Sequence, residues 1–328
     1  MKINESGQVA GYSLLPGFPS QTRAALWEGG IVENLGTLGG STSRAHSINN
    51  LGFVVGYAST SAGDTRAFIH DGVEMTELST LGGASSVAWD INDDNLIVGW
   101  ANLENSFYHA ATWSGGVISD LGTLGGNYSL AYAVNSLNVV VGSSDDGAGN
   151  EYGFIWQNGE ITKINPYPGG TWSTARDIND SGQIILWGNT ATSNAQAILY
   201  YEGYYQNLGT FGGDESWSYG INNLGHVVGW AELEAGYYHA FVYDGAGKTD
   251  LGTLGGLFSS AYGINDRGMI TGWAQTSNGE THAVMWVPVP EPGVFALVFT
   301  TVGVLAFTVK RRRIAPVNVN DINSTVSV

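Results

Sequence analysis

The stretch Ile-Asn-Asn-Leu-Gly-His-Val-Val-Gly-Trp, residues 221–230, decides the fold. Its first half has the composition of a tight turn, in which Gly225 takes a positive φ and the Asn222 side chain bonds the turn backbone. The β-branched pair Val227-Val228 that follows is typical of a strand. The stretch therefore predicts a hairpin between two short strands.

The same pattern recurs along the chain. An Ile/Val-Asn pair stands at residues 3–4, 48–49, 91–92, 134–135, 178–179, 221–222 and 264–265, with spacings of 45, 43, 43, 44, 43 and 43 residues. Such a period is the mark of a repeat architecture. Three residues after the Asn, five copies have Gly, whereas Asn95 and Asn138 stand in the other two. We therefore expect a positive φ at Asn95 and Asn138.

Three further segments complete each repeat. A strand of the type His239-Ala-Phe241 follows the turn strand, a fourth strand is expected at Leu121–Leu124 and its equivalents, and after Gly-Gly a Ser129-x-Ala131 segment opens the next copy. Four short strands in 43 residues are the size of a propeller blade. Residues 1–287 therefore predict an all-β, seven-bladed β-propeller. A β-solenoid is the competing architecture, although its rungs are usually about half this length.

Composition narrows the function classes. Only 12% of the residues are charged and 48 are Gly, which favours short strands over long helices. The net charge of −17 disfavours binding to nucleic acid. The chain has no Cys, so disulfides and thiolate metal sites are excluded. We expect no cofactor and no metal.

The segments Asp120–Gly126, Ile221–Trp230 and His239-Ala-Phe241 together resemble the HAF family of extracellular repeats. The resemblance covers roughly residues 1–287 and implies an exported bacterial protein without a defined activity. Several copies depart from the family pattern, since Arg23, Arg66, Tyr152 and Gln196 replace the His.

The C-terminal region has a different composition. Val-Pro-Glu-Pro at residues 289–292 precedes the uncharged stretch Val294–Val309 and a basic run, residues 310–313. Residues 294–309 predict a single transmembrane helix, because an apolar stretch of this length just spans a bilayer core. The order of these parts resembles a PEP-CTERM sorting signal, residues 288–313, which exosortases process. The resemblance implies that the sorting residues are Pro290, Glu291, Pro292, Lys310, Arg311, Arg312 and Arg313. Residues 314–328 are expected to be a disordered tail.

No catalytic group of residues stands out. His109, His239 and His282 occupy equivalent places in separate repeats, which favours a structural role. The loops after Gly-Gly carry aromatic side chains, which are candidates for stacking on sugar rings or, alternatively, for packing between blades. These residues are Tyr128, Trp172 and Phe258, together with Trp217 two residues past the equivalent place.

The sequence thus predicts an exported binding or structural module at the surface or in the matrix of a polysaccharide-producing Gram-negative bacterium. Its expected partners are an exosortase, surface glycans and, before processing, the membrane. The alternative is a propeller enzyme that acts on extracellular polysaccharide, such as a lyase or glycosidase. Because the first repeat lacks its opening strand and the last repeat lacks its closing strand, we also expect an upstream segment that holds these two strands and a signal peptide.

Overall fold

The computed structural model describes residues 1–15, 18–192, 195–288, 295–301 and 304–308. All regular structure in these residues is β-strand, and none of them belongs to a helix that could span a membrane. The strands form seven antiparallel sheets, each built from consecutive strands of the chain. The all-β prediction is confirmed.

The first four sheets are blades 1 to 4. Blade 1 contains β1 (Lys2–Ile3), β2 (Val9–Leu15), β3 (Phe18–Glu28) and β4 (Ile31–Asn34). Blade 2 contains β5 (Gly39–Ile48), β6 (Val54–Thr60), β7 (Thr65–His70) and β8 (Met75–Glu77). Blade 3 contains β9 (Gly82–Ile91), β10 (Ile97–Leu103), β11 (Tyr108–Ser114) and β12 (Val117–Asp120). Blade 4 contains β13 (Ser129–Val134), β14 (Val140–Asp145), β15 (Glu151–Gln157) and β16 (Glu160–Lys163).

The remaining sheets are blades 5 to 7. Blade 5 contains β17 (Ser173–Ile178), β18 (Ile184–Gly188), β19 (Gln196–Tyr201) and β20 (Tyr204–Asn207). Blade 6 contains β21 (Gly212–Ile221), β22 (Val227–Leu233), β23 (Tyr238–Tyr243) and β24 (Lys248–Gly252). Blade 7 contains β25 (Gly255–Ile264), β26 (Ile270–Thr276), β27 (Thr281–Pro288), β28 (Phe295–Thr301) and β29 (Val304–Thr308).

The first strand of each blade is the innermost strand of a ring. β1, β5, β9, β13, β17, β21 and β25 contact one another in this order, and β25 contacts β1 again. The seven-bladed β-propeller is therefore confirmed. The Ser-x-Ala segment of the repeat surrounds the axis, and the strands farther along each blade lie progressively farther out.

The recurring asparagines close this ring. In each of the seven copies, the side chain or backbone of the Asn bonds the backbone of its own turn. The side-chain nitrogen Nδ2 of the same Asn donates to the backbone oxygen of the Asn in the next blade, at 2.9 to 3.2 Å. The last bond of the circle joins Asn265 to Asn4. We call the face with these turns the lower face. The Gly-Gly connections and the hairpins between second and third strands form the upper face.

The recurring serines join each blade to the one before it. Ser129 Oγ accepts a hydrogen bond from the Ala110 backbone nitrogen at 2.8 Å and donates to the Gly122 oxygen at 2.6 Å. The equivalent serine in each of blades 2 to 7 accepts from the third strand of the preceding blade. This buried bond requires a close approach, which the small Ala of the His-Ala-Phe pattern allows.

Apolar side chains fill the spaces between blades. The interface of blades 3 and 4, for example, buries Val98, Ala110, Leu121, Ala131 and Phe154. Six such clusters occupy the six interfaces from blades 1 and 2 to blades 6 and 7. Burial of this apolar surface is the main force that holds one blade against the next.

The fourth strand differs from the prediction. It is the segment before Leu-Gly-Thr-Leu, as in β12, whereas residues 121–124 form the connection to the next blade. Leu121 makes the last bond to the third strand, to the Ala110 oxygen at 2.9 Å. Gly122 then adopts a φ of 76°, which ends the extended ladder.

The prediction for the turn between the first and second strands is confirmed, because Asn95 and Asn138 both have a φ of 60°.

The first and last blades also differ from the expectation that each lacks a strand. In blade 1, Lys2 and Ile3 pair with Ala10 and Val9 as a short opening strand. In blade 7, β28 pairs with β27 as the fourth strand and β29 pairs with β28. The predicted transmembrane helix 294–309 is not confirmed, since its described residues form these two strands. The sorting residues 290–292 and 310–313 and the tail 314–328 lie outside the described residues.

Candidate functional site

The upper face presents loops that are held by polar side chains of the second strands. Asp145 of β14 accepts hydrogen bonds from the Tyr128 and Asn127 backbone nitrogens at 2.8 and 3.1 Å. In blade 5 the Asn189 side chain accepts from the Trp172 backbone nitrogen at 3.2 Å, and in blade 7 Gln275 accepts from Leu257 at 3.1 Å. These contacts fix the loops that carry the predicted aromatic residues.

Tyr128 is the most exposed of the four predicted aromatics, at 38%. Its ring lies 4.7 Å from the Tyr108 ring of the preceding blade and 5.5 Å from the Phe107 ring, between centroids. Tyr108 in turn contacts Trp100 at 5.5 Å. The four rings form an aromatic cluster where blades 3 and 4 meet on the upper face.

A cavity of about 300 Å³ lies beside this cluster. Tyr108 and Tyr128 form its aromatic wall, and Asp145, Asn150 and Glu151 supply polar atoms. A cavity with an aromatic wall and a few hydrogen-bonding groups has the composition of a small-ligand site. We call it the Tyr128 site.

A second aromatic cluster occupies the equivalent place three blades later. The Phe258 ring lies 4.8 Å from Tyr238 and 5.7 Å from Tyr237, and Tyr238 lies 4.7 Å from Trp230. The identical arrangement arises because blades 3 and 6 carry the similar segments 99–111 and 229–241. We call it the Phe258 site.

The other two predicted residues do not occupy places equivalent to Tyr128 and Phe258, although Trp217 contacts Trp230 of the Phe258 site. Trp172 is half-buried on the upper face between blades 4 and 5. Trp217 lies on the innermost strand β21 and packs against Trp187 at 4.5 Å and Trp230 at 6.2 Å. The four predicted aromatics therefore do not form one equivalent set, because Trp217 faces the axis of the ring.

The histidines of the repeat form pairs within their own blades. His109 Nδ1 lies 2.8 Å from an Asp120 carboxylate oxygen, and His239 Nδ1 lies 2.9 Å from Asp250. Each pair joins the third strand to the fourth. In blade 2, Arg66 and Glu77 take these two places and form a salt bridge at 2.9 Å. This supports the structural role predicted for the histidines, and no group of metal-ligating side chains occurs among the described residues.

Sequence reasoning did not identify the two arginines of the axis. Arg44 of β5 and Arg176 of β17 lie on innermost strands and stack on aromatic rings. Arg44 occupies the x position of Ser-x-Ala, and Arg176 lies two residues after the x position of its own repeat. The sequence does not show that Ser-x-Ala is the innermost strand, so it gives no sign that these two arginines lie at the axis.

Comparison with known proteins supports the fold. No protein-family model and no curated protein sequence matches the chain. Among solved structures, the β-propeller domain of the Trilobed protease from Pyrococcus furiosus, which has an open velcro topology, matches with a TM-score of 0.58. The identity is 13%, over 90% of this chain and 96% of that domain. The chain is a seven-bladed β-propeller.

Two further propellers show how widely the fold is shared. BP39L lectin from Burkholderia pseudomallei matches with a TM-score of 0.52 and 10% identity, over 85% of this chain and 92% of the lectin. TolB from Acinetobacter baumannii matches with a TM-score of 0.51 and 14% identity, over 73% of this chain. The chain spans only 61% of the length of TolB. At such identities the likeness concerns the fold alone.

Proposed function

We propose that this chain is an exported, surface- or matrix-associated module that binds glycans on its upper face and does not catalyse a reaction. The observation that carries the proposal is the Tyr128 site, in which the exposed Tyr128 ring and the half-buried Tyr108 ring stand beside a cavity of about 300 Å³ with polar groups. The repetition of the aromatic cluster at the Phe258 site supports it, because repeated weak sites suit a polymer with repeated units.

The chemistry of the Tyr128 site fits a sugar. The apolar face of a pyranose ring stacks on the Tyr128 and Tyr108 rings, as apolar surface does on aromatic side chains. Its hydroxyl groups bond the carboxylates of Asp145 and Glu151 and the amide of Asn150. Each carboxylate offers about four lone-pair sites, so Asp145 keeps free capacity beside its two loop contacts.

A binding role is favoured over the alternative of a lyase or glycosidase. Carboxylates that flank a scissile bond must face one another across the substrate. Asp120 and Asp250 instead pair with histidines on the outer strands of separate blades. The proposed site carries Asp145 and Glu151, of which Asp145 holds the Tyr128 loop and Glu151 accepts from Thr174 Oγ1 at 2.9 Å.

The proposal includes export and sorting by an exosortase in a polysaccharide-producing Gram-negative bacterium. It rests on the resemblance of residues 288–313 to a PEP-CTERM signal, with Pro290, Glu291 and Pro292 as the recognition motif. Before processing, residues 294–309 leave the edge of blade 7 and cross the membrane as a helix. Sixteen helical residues extend about 24 Å, which is shorter than a typical apolar core of about 30 Å, so flanking residues or local thinning of the bilayer must complete the span.

A glycan array tests the binding function directly. The wild type and the Tyr204→Ala variant, which removes a 79% exposed aromatic ring far from the blade interfaces, should bind the same neutral oligosaccharides. Tyr128→Ala should weaken binding to the array about tenfold or more, because it removes the dominant stacking contact of one of two sites that hold the same polymer together. Equal binding by Tyr128→Ala and wild type, or binding to no glycan at all, contradicts the proposal.

A further inference from the structure

The axis of the ring is lined by two tiers of side chains from the innermost strands. The upper tier is the x position of Ser-x-Ala and contains Arg44, Val87, Leu130, Thr174, Trp217 and Ser260. The lower tier is two residues farther along each strand and contains His46, Trp89, Tyr132, Arg176, Tyr219 and Tyr262. Most of the large side chains in these tiers are half-buried although their strands are the innermost of the fold.

The lower tier forms a belt of flat side chains. The His46 and Trp89 rings stack at 4.1 Å with an angle of 7° between their planes, and Trp89 lies 5.8 Å from Tyr132. The Arg176 guanidinium lies 3.8 Å from the Tyr132 ring centroid. On the other side of the ring Tyr219 contacts Tyr262 at 4.8 Å. The belt presents aromatic faces and edges toward the axis.

Two guanidinium groups in these tiers form no salt bridge. Arg176 stacks on Tyr132 and Trp187, and Arg44 stacks on Tyr12 at 4.4 Å. Neither forms a salt bridge with a carboxylate of the described residues. This is unexpected in a chain with 29 acidic residues and 12 basic ones. An unpaired guanidinium near the interior is costly, and such departures concentrate at functional sites.

The nearest acidic residues are already engaged elsewhere. Asp177 binds Lys2 Nζ at 2.8 Å and the Ile221 backbone nitrogen at 3.1 Å. Asp90 accepts from Ser47 Oγ at 2.6 Å and from the Val134 backbone nitrogen at 3.1 Å. These bonds lie toward the lower face, so the two carboxylates hold the ring together and form no salt bridge with either arginine.

Four donor atoms at the axis also lack acceptors, although the Arg176 side chain has a hydrogen bond with Tyr132. Arg44 Nε, Arg176 Nε and the indole nitrogens of Trp89 and Trp217 are buried and have no hydrogen-bond partner among the described residues. Other buried indoles in the fold are satisfied, as Trp113 and Trp286 bond the Ser79 and Leu251 oxygens at 2.8 and 3.1 Å. Four unpaired donors without a free acceptor are suited to an acceptor-rich, negatively charged ligand.

His46 contributes no positive charge to this site at neutral pH. Burial is the main cause that lowers the pKa of His46 to about 4, and the positive charges of the N-terminus, Arg44 and Arg176 lower it further. The charge of the site therefore comes from the arginines.

We propose that the two axial tiers bind a carboxylated sugar, a uronate, whose carboxylate accepts hydrogen bonds from the guanidinium and indole N–H groups. The apolar face of the sugar ring lies against the aromatic belt. The donors and the aromatic belt of this site are not residues of the Tyr128 site, although Leu130 of the upper tier also lines that cavity and Thr174 bonds Glu151 there. The two sites are distinguished by their ligands, because this one requires a negative charge. Acetate has the same charge as a uronate but lacks the sugar ring. Comparing the two ligands therefore separates the contribution of the carboxylate from that of the ring.

Titration calorimetry with glucuronate, glucose and acetate tests the site in the full chain. Glucuronate should bind, whereas glucose and acetate should bind at least tenfold more weakly. Arg176→Tyr introduces the residue that blades 4, 6 and 7 carry at this place, and Arg44→Leu introduces that of blade 4, so both are compatible with the repeat. Each should weaken glucuronate binding tenfold or more, and Arg176→Lys should weaken it less.

Arg267→Gln is the matched control, because it removes one positive charge from an exposed turn of the lower face. It should leave the affinity for glucuronate unchanged. Thermal melting shows that each variant remains folded, and the Tyr128→Ala variant should keep full affinity. Unchanged affinity in folded Arg176→Tyr and Arg44→Leu overturns the proposal. Equal affinity for acetate and glucuronate overturns the role of the aromatic belt.

Discussion

At the scale of single residues, Lys248 shows how one blade departs from the repeat. The equivalent position on the fourth strand of other blades holds an apolar or aromatic side chain. These residues are Val32, Met75, Ile118, Ile161 and Tyr205. Lys248 Nζ instead donates to the oxygens of Leu208, Gly209 and Thr210 at 3.0, 2.6 and 2.8 Å. It thereby anchors the connection that precedes its own blade.

Burial lowers the pKa of Lys248 to about 8, below its ordinary value of 10.5. Between these values the unfolded chain binds more protons than the folded one, so the free energy of unfolding should rise with pH. Allowing for the partial exposure of the side chain, we expect a rise of about 1 kcal/mol from pH 8 to pH 10. Lys248→Met should abolish this rise, as measured by urea unfolding at both values.

The exposed Lys163 supplies the control, because Lys163→Met removes a lysine from the equivalent strand of blade 4 without removing a buried charge. That variant should keep the rise. A Lys248→Met protein with the same pH dependence as the wild type contradicts the assignment.

Local backbone chemistry was predictable from the sequence, whereas partners distant in the chain were not. The positive φ at Asn95 and Asn138 followed from comparison with Gly in the other copies, because the left-handed region admits few residue types. The carbonyl partners of Lys248 belong to a loop about 40 residues earlier. No local pattern indicates such a contact, so it appears only in the folded ring.

At the scale of elements, the turn of each repeat has two functions. Asn222 Oδ1 accepts from the Leu224 and His226 nitrogens at 3.1 and 2.9 Å, which shapes the turn. Its Nδ2 donates to the Asn265 oxygen at 3.0 Å, which joins blades 6 and 7. The sequence predicted the first function, and the second became visible only when the seven turns were arranged in a circle.

Asn222→Asp separates these two functions. The carboxylate keeps an acceptor for the turn nitrogens and loses the donor to the next blade, and it places a negative charge in a buried position. We expect a loss of about 2–4 kcal/mol in the free energy of unfolding at pH 7, measured by urea unfolding. The loss should shrink at low pH, where a protonated Asp can donate again.

The same substitution at the exposed Asn158, in the hairpin turn of blade 4, should change stability by less than about 0.5 kcal/mol. If Asn222→Asp were equally harmless, the ring of asparagine bonds would contribute little to the closure of the propeller.

The error over the fourth strand has a physical cause at this scale. Leu-Gly-Thr-Leu alternates apolar and small residues as a strand does, and Leu121 is buried. The positive φ of Gly122 and the bond from Thr123 Oγ1 to the Gly126 oxygen at 2.9 Å turn it into a connection. Repeated motifs in a propeller thus belong to connections between blades as often as to strands.

At the scale of the whole molecule, period and copy number were enough to predict the ring. The positions of the candidate aromatic residues relative to one another were harder to predict. Residues at the same position of different repeats are not neighbours in the folded ring. Tyr128 and Phe258 lie three blades apart, and Trp217 faces the axis. The unpaired donors of the axial tiers could not be predicted at all, since burial without a partner is a property of the assembled ring.

The sorting proposal concerns the whole chain in its cell. Glu291→Ala should leave the protein at its precursor mass in a host with a matching exosortase, because the substitution removes the charged residue of the motif. Glu280→Ala, which changes an exposed loop of blade 7, should be processed normally. Mass spectrometry of the surface fraction distinguishes the two variants. A Glu291→Ala protein with the mass of the processed wild type contradicts the proposal.

The number of binding sites for a neutral oligosaccharide tests the central claim most directly. Titration calorimetry of the intact protein, with the oligosaccharide selected on the array, should give two sites per chain for the wild type. Tyr128→Ala should leave one, and the double variant Tyr128→Ala/Phe258→Ala should leave none while its melting temperature stays within a few degrees of the wild type. A folded double variant that binds the oligosaccharide with the stoichiometry and affinity of the wild type would contradict the account.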